Sequence, residues 1–134
     1  MNMRLSLFLP RDTASVPMAR RILSTTLSNF RVTEECRSDI LLALAEACSN
    51  AVAHAKPAEG YQVTVQIDEA ECQIEVIDGG AGFDHSAPVP DEMPLLAESG
   101  RGLYIIRALA DDFDLRPNSP SGTLVRFAKR LIRA

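Results

Sequence analysis

The chain has no tryptophan, and aromatic residues make up only 5% of its 134 positions. With a formal net charge of -4, this scarcity disfavours direct nucleic-acid binding, because a polyanion is repelled and few rings are present to stack bases. Cys36, Cys48 and Cys72 form an odd set with no CxxC pair, so neither a disulfide framework nor a zinc site is expected. Two of them lie in apolar-periodic segments, where a thiol behaves as a small hydrophobe. No apolar tract is long enough to cross a bilayer. The start, MNMRLSLFLPRD, carries a short apolar run that stops at Pro10 and lacks a small-residue cleavage pattern. A first strand in a cytoplasmic protein is expected there, not a signal peptide. GxGxxG is missing, since Ile105 stands where a third glycine would follow Gly100 and Gly102, and GxxxxGK[ST] occurs nowhere. Rossmann and P-loop phosphate sites are therefore disfavoured.

What is present is 46% hydrophobic residues in a chain of one domain's length, enough to bury a core. Leu5, Leu7 and Leu9 alternate with Arg4, Ser6 and Phe8, the period of a half-buried strand. Ser15 is expected to cap a first helix that has Pro17 in its first turn and Ala19, Leu23, Leu27 and Phe30 along one stripe. Thr33 with Glu34 and Glu35 places a cap and two carboxylates at the positive end of a second, longer helix running to about Ala55, where KPAEG ends it. YQVTVQID and CQIEVID alternate around an acidic turn at Glu69 and predict an antiparallel hairpin. Residues 79 to 100 show no period and contain Pro88, Pro90 and Pro94, which suits a functional or disordered connection. GLYIIRALAD predicts a helix, DFDLRP a strand, and GTLVRFAKRL a closing strand with Val125 and Phe127 inward. The resulting order suits an antiparallel or mixed sheet with helices on one face, a two-layer α/β (α+β) sandwich, and lacks βαβ alternation. No repeat or second domain is visible.

Glu46, Asn50 and His54 recur at intervals of four. At about 100° per residue they drift only about 80° over two turns, so they form one polar strip. Glu and Asn at that spacing are common on solvated helix faces. Here, however, Ala45, Ala47, Cys48, Ala51 and Val52 surround them, implying a helix packed over most of its circumference, and a polar strip on such a helix lines a cleft. DGGAG, residues 78 to 82, sets an acid at a strand end with glycines beyond it, where a ligand can approach the backbone closely. As an isolated pentapeptide it reads equally as an Asp-Gly turn. GRGL, residues 100 to 103, opens a helix with two glycines, where free N–H groups favour phosphate.

The combination is more specific than its parts. ExxxNAxxH on a helix, DxGxG after a strand, GxGL after a long loop, and Gly-Thr before a last strand, in this order, resemble the Bergerat ATP-binding fold of gyrase, histidine kinases and their relatives. Small size, the lack of a dimerisation helix with a phosphorylatable histidine, and the run GRGLYIIRALADDFD most resemble the anti-sigma-factor serine/threonine kinases of bacterial partner switching. The resemblance covers most of the chain and implies a single ATPase domain over residues 1–134, using ATP and Mg²⁺. It implies that Asn50 helps hold Mg²⁺ through its amide oxygen and that Glu46 is the general base. It implies that Asp78 reads the adenine amino group, a contact the guanine carbonyl would repel. Gly80 and Gly82 would admit base and ribose, Gly100 and Gly102 would cradle phosphates, Arg101 would offset their charge, and Thr123 would complete the pocket floor. Residues 83 to 99 would form a lid that orders over the phosphates, with Phe83 packed beneath it. His54, at a helix end, is as readily explained by a bond to a backbone carbonyl, and nothing argues for a role of His85.

The implied substrate is a STAS-domain antagonist of an anti-sigma factor, with a sigma factor as a second partner and a homodimer through the sheet edge or first helix. A binding module that holds its partner under ATP control without phosphoryl transfer is the main rival, and the presence of Glu46 disfavours it, because a gate needs no base. A histidine-kinase catalytic domain cut from a longer protein is the other. It is disfavoured because the sequence opens with a strand and offers no phosphoacceptor helix.

Overall fold

In a computed structural model, residues 2–54, 59–79, 101–117 and 122–133 are described. Their elements follow the order β1 (Met3–Pro10), α1 (Ser15–Ser28), α2 (Glu34–His54), β2 (Gly60–Ile67), β3 (Glu71–Asp78), α3 (Arg101–Leu109), β4 (Asp112–Pro117) and β5 (Thr123–Arg130). The strands form one sheet in the order β1-β2-β3-β5-β4. All four pairings are antiparallel, so of the antiparallel and mixed forms expected, the sheet takes the antiparallel one. The β2–β3 hairpin closes at Asp68, whose Oδ1 accepts the backbone N–H groups of Ala70 at 2.7 Å and Glu71 at 2.8 Å. These bonds favour the carboxylate and hold its pKa below the ordinary value.

Alternation decides which face is covered. Leu7, Val63, Val76 and Val125 share one row, and Leu5, Val65, Ile74 and Phe127 the next; the members from β2, β3 and β5 are buried. The opposite face carries Arg4, Ser6 and Gln66, all exposed, with Phe8 80% exposed beside them. Helix α2 packs on β2, β3 and β5, with α1 on one flank and α3 on the other. Its buried residues Cys36, Ile40, Ala43, Leu44, Ala47, Cys48 and Ala51 recur at spacings of three and four, the stripe that a core-facing helix requires.

Both helix starts involve the residues singled out from sequence, one of them differently. Thr33 Oγ1 accepts the Cys36 N–H at 3.2 Å, the expected cap of α2. Ser15, expected to cap α1, is instead its first helical residue; Ala14 is the N-cap and makes no side-chain cap bond. Asp12 takes the capping work, accepting the Ala14 N–H on Oδ1 at 3.0 Å, which leaves the Ser15 hydroxyl buried and turned toward the core. The stretch 83 to 99 lies outside the described residues.

Two leucines on α2 give a direct check of this packing. Leu44 is 1% exposed and Leu42 is 45% exposed. Leu44→Ala is expected to cost roughly 2 to 5 kcal/mol and Leu42→Ala within about 0.5 kcal/mol, both measured from urea unfolding midpoints.

Candidate functional site

One cross-strand row differs from every other on the covered face. It runs Leu9–Tyr61–Asp78–Thr123–Pro117, and its three central residues are polar although all are buried: Tyr61 is 4% exposed, Asp78 5% and Thr123 1%. Asp78, the acid at the end of β3, is thus flanked by a phenol and a hydroxyl. Thr123 Oγ1 has no hydrogen-bond partner among the described residues. A buried hydroxyl left unpaired costs about 1 to 3 kcal/mol, so such an atom in a native fold points toward a ligand or water.

The second half of the site is the polar strip of α2. Glu46 and Asn50 are half-buried, and the Asn50 Nδ2 is the other buried side-chain atom without a partner among the described residues. Helix α3 closes on them through Gly102. A β-carbon at position 102 would stand 2.9 Å from Glu46 Oε2 and 3.3 Å from both Asn50 Nδ2 and Oδ1. Glycine therefore lets the first turn of α3, with its unpaired N–H groups and positive dipole end, lie directly against the strip. Arg101, the first residue of α3, is exposed. His54 ends α2 half-buried.

The structure thus brings Glu46, Asn50 and Gly102 together, and Asp78 and Thr123 together, from positions far apart in the chain. Gly80, Gly82 and Gly100 lie outside the described residues, as do Phe83 and His85. Two residues escaped the reading of the sequence. Gly122 was visible only as half of a Gly-Thr pair; its φ is +107°, and a β-carbon there would stand 2.0 Å from the Asp78 carbonyl oxygen and 2.8 Å from Gly79 Cα. Tyr61 looked like one more aromatic in an alternating strand, and only the strand register places it beside Asp78.

The fold is that of an ATP-binding domain of a known kind. The chain belongs to the histidine kinase-like ATPase domain family, whose model matches residues 9–129. Its relatives lie on the branch of serine-protein kinases and anti-sigma factors. It is 33% identical over 138 residues to the serine-protein kinase RsbW of Bacillus pumilus (strain SAFR-032), covering 93% of this chain and 84% of the relative. It is 32% identical over 133 residues to RsbW of Bacillus subtilis (strain 168), covering 91% and 82%, and 28% identical over 118 residues to the anti-sigma F factor of Clostridium acetobutylicum, covering 84% and 82%. The same fold occurs in the RsbU and RsbW domains of Rv1364c from Mycobacterium tuberculosis, with a TM-score of 0.75 at 20% identity, covering 98% of this chain and 33% of that one. It recurs in the SiaB–SiaC complex from Pseudomonas aeruginosa, with a TM-score of 0.67 at 13% identity, covering 96% and 89%. ATP is accordingly the nucleotide of this domain. No described helix is long and apolar enough to cross a membrane.

The two glycines should respond differently to alanine. At Gly122 the obstacle is backbone and the φ is positive, so Gly122→Ala is expected to lose at least about 1 to 3 kcal/mol in urea unfolding. At Gly102 the nearest obstacle is the end of a flexible carboxylate, and alanine favours a helix. Gly102→Ala should keep a near-parental midpoint while displacing Glu46 and Asn50, seen as weaker ATP binding by calorimetry.

Proposed function

We propose that this chain, as a single domain over residues 1–134, is a serine/threonine protein kinase that transfers the γ-phosphoryl group of ATP to a small regulatory protein. The observation that carries the reading is the α2 strip: a carboxylate and an unpaired amide, one turn apart, pressed against the start of α3.

The residues fit a nucleotide bound with Mg²⁺. Among the described residues no three His, Cys, Asp or Glu side chains cluster as a metal site, and a magnesium ion held with ATP needs none, since it takes one or two protein oxygens beside phosphates and waters. Asn50 Oδ1 would be that oxygen. An ion held there would supply positive charge to offset that of the phosphates during transfer. The Asp78 carboxylate accepts the adenine N6–H, and Thr123 Oγ1, opposite it in the register, supplies a further hydrogen bond at the pocket floor. The start of α3, with Gly100, Gly102 and Arg101, holds the phosphates by N–H groups and charge, while Gly80 and Gly82 keep side chains away from base and ribose. Glu46, beside Asn50, orients the attacking hydroxyl and takes its proton on a carboxylate oxygen.

The partner of this reading is an antagonist protein of the STAS type, phosphorylated in one state of the switch, with a sigma factor held in the other and a second copy of the chain as dimer partner. Relatives named serine-protein kinase and anti-sigma F factor support it, as does the family fold in a SiaB–SiaC complex. The reading places the protein in the cytoplasm.

Glu46 and Asn50 have separable duties here, which sets the test. Glu46→Gln should retain near-parental Mg-ATP affinity while transfer to the partner's Ser or Thr falls by roughly 10² to 10⁴. Asn50→Ala should lose both, and Asp78→Asn should weaken ATP binding by roughly 1.5 to 3 kcal/mol. Radiolabelled γ-phosphate transfer beside calorimetry measures each. A parent that binds Mg-ATP yet labels no STAS partner, with Glu46→Gln holding and releasing that partner as the parent does, would make the protein an ATP-gated binding module instead.

A further inference from the structure

Helix α3 has nine residues, a length at which a helix is marginal without tertiary support, and its far end is held by a side chain from the sheet. Lys129 of β5 donates from Nζ to the carbonyl oxygen of Leu109, the last residue of α3, at 2.8 Å. The same Nζ stands 3.7 Å from Asp39 Oδ2 on α2, the Lys129 and Asp39 side chains being 18% and 32% exposed. A cation on the last carbonyl of a helix bonds a group that has no partner inside the helix and meets the negative end of its dipole. The turn after α3 is tied to the same stretch of β5: the Asp111 N–H donates to the Ala128 carbonyl oxygen at 2.9 Å, and the Arg130 N–H to Asp111 Oδ2 at 2.6 Å. Those two bonds hold the turn. Lys129 acts on the helix itself and reaches α2 as well.

The place of this tie gives it meaning. Asp39 precedes Glu46 by seven residues, a step of about 700° that returns to within about 20° of the same face of α2 and rises about 10.5 Å. Leu109 follows Gly102 by the same seven residues along α3, hence by the same rise. The two helices therefore run antiparallel with matched spans. They meet at one end where Gly102 lies against Glu46 and Asn50, and at the other where Lys129 bridges Leu109 and Asp39. Between these points the buried residues are Leu103 and Ile106 on α3 and the small Ala43 and Ala47 on α2. Apolar packing of this kind is non-directional and permits helices to slide. Strand β5 also opens with Thr123 opposite Asp78, so one strand carries both a member of the Asp78 row and the side chain that holds α3.

We propose that Lys129 is a positioning residue of the site: by bridging the end of α3 to Asp39 from the strand that bears Thr123, it sets where the first turn of α3 stands over Glu46 and Asn50. The consequence for nucleotide rests on the reading above that this turn holds the phosphates; the consequence for α3 does not.

The test uses the full chain and two readouts, calorimetric affinities for Mg-ATP and for adenosine, and hydrogen–deuterium exchange of segments 101–109 and 60–78 without nucleotide. All are taken well below each variant's unfolding temperature. Lys129→Met keeps most of the stem and removes the ammonium. It is expected to weaken Mg-ATP binding roughly tenfold, the order of one misplaced charge-assisted bond, and to leave adenosine, which has no phosphate to misplace, near its parental affinity. Exchange should become several-fold faster in 101–109 and stay parental in 60–78. Lys129→Arg, which keeps the charge and the donors, should recover most of both readouts. Asp39→Asn should shift both in the same direction by less, since the bond to Leu109 remains, and should add little once Lys129→Met is present. Equal losses for ATP and adenosine, parental exchange of 101–109 in Lys129→Met, or fully additive effects of the two substitutions would overturn the proposal. If Lys129→Met does not fold, Asp39→Asn decides, and parental exchange of 101–109 in it overturns the proposal. Faster exchange of 101–109 with unchanged Mg-ATP affinity upholds the seat of α3 and counts against its hold on the phosphates. If the parent binds adenosine as tightly as Mg-ATP, the phosphate reading fails, and exchange of 101–109 alone upholds or overturns the role of Lys129.

Discussion

The crowding around α2 is the constraint on which the rest of the molecule depends. This helix touches α1, α3 and three strands, and it does so with small side chains, Ala43, Ala47, Cys48 and Ala51, at most of its buried positions. Small residues allow close approach, and close approach leaves little room for water. A carboxylate and an amide placed on such a helix are costly unless something other than bulk solvent meets them. Gly102 supplies half of that answer by letting α3 come within contact of Glu46 and Asn50, and the unpaired Asn50 amide marks where the other half is still to be supplied.

A second close approach fixes the sheet end of the site. Gly122 sits so tightly on the Asp78 carbonyl that no other residue could take its place without moving backbone. Because β5 enters the sheet immediately afterwards, that contact sets Thr123 opposite Asp78, and the register then carries the row on to Tyr61. The two halves of the site are built by different means: one by main-chain pairing, which is stiff and directional, and one by a helix resting on apolar contacts, which are not.

The same fold in chains only 13% and 20% identical to this one shows that the architecture tolerates wide change in sequence. Fold alone does not choose a reaction. In the proposed function that choice falls to a few atoms on the α2 strip and in the Asp78 row, together with whatever partner surface presents a hydroxyl to Glu46.

Much of the fold was legible from local pattern. The alternation of β1, β2 and β3, the stripe Ala19–Leu23–Leu27, and the Thr33 cap each depend on residues a few positions apart, and each appears where the pattern placed it; Phe30, expected on the same stripe, is buried beyond the end of α1 at Ser28. The polar strip was legible for the same reason, since helical period alone puts Glu46 and Asn50 on one face. Ser15 does not cap α1 because Asp12, three residues earlier, takes that turn, and the serine hydroxyl goes instead to the Asp12 carbonyl and the buried phenol of Tyr61. The sheet order, the row that joins Tyr61, Asp78 and Thr123, the seat of Gly102 on the strip and the necessity of Gly122 were decided by tertiary structure. Each is a contact between segments tens of residues apart, set by strand register and helix packing, and no local periodicity encodes which carbonyl or carboxylate a glycine will meet.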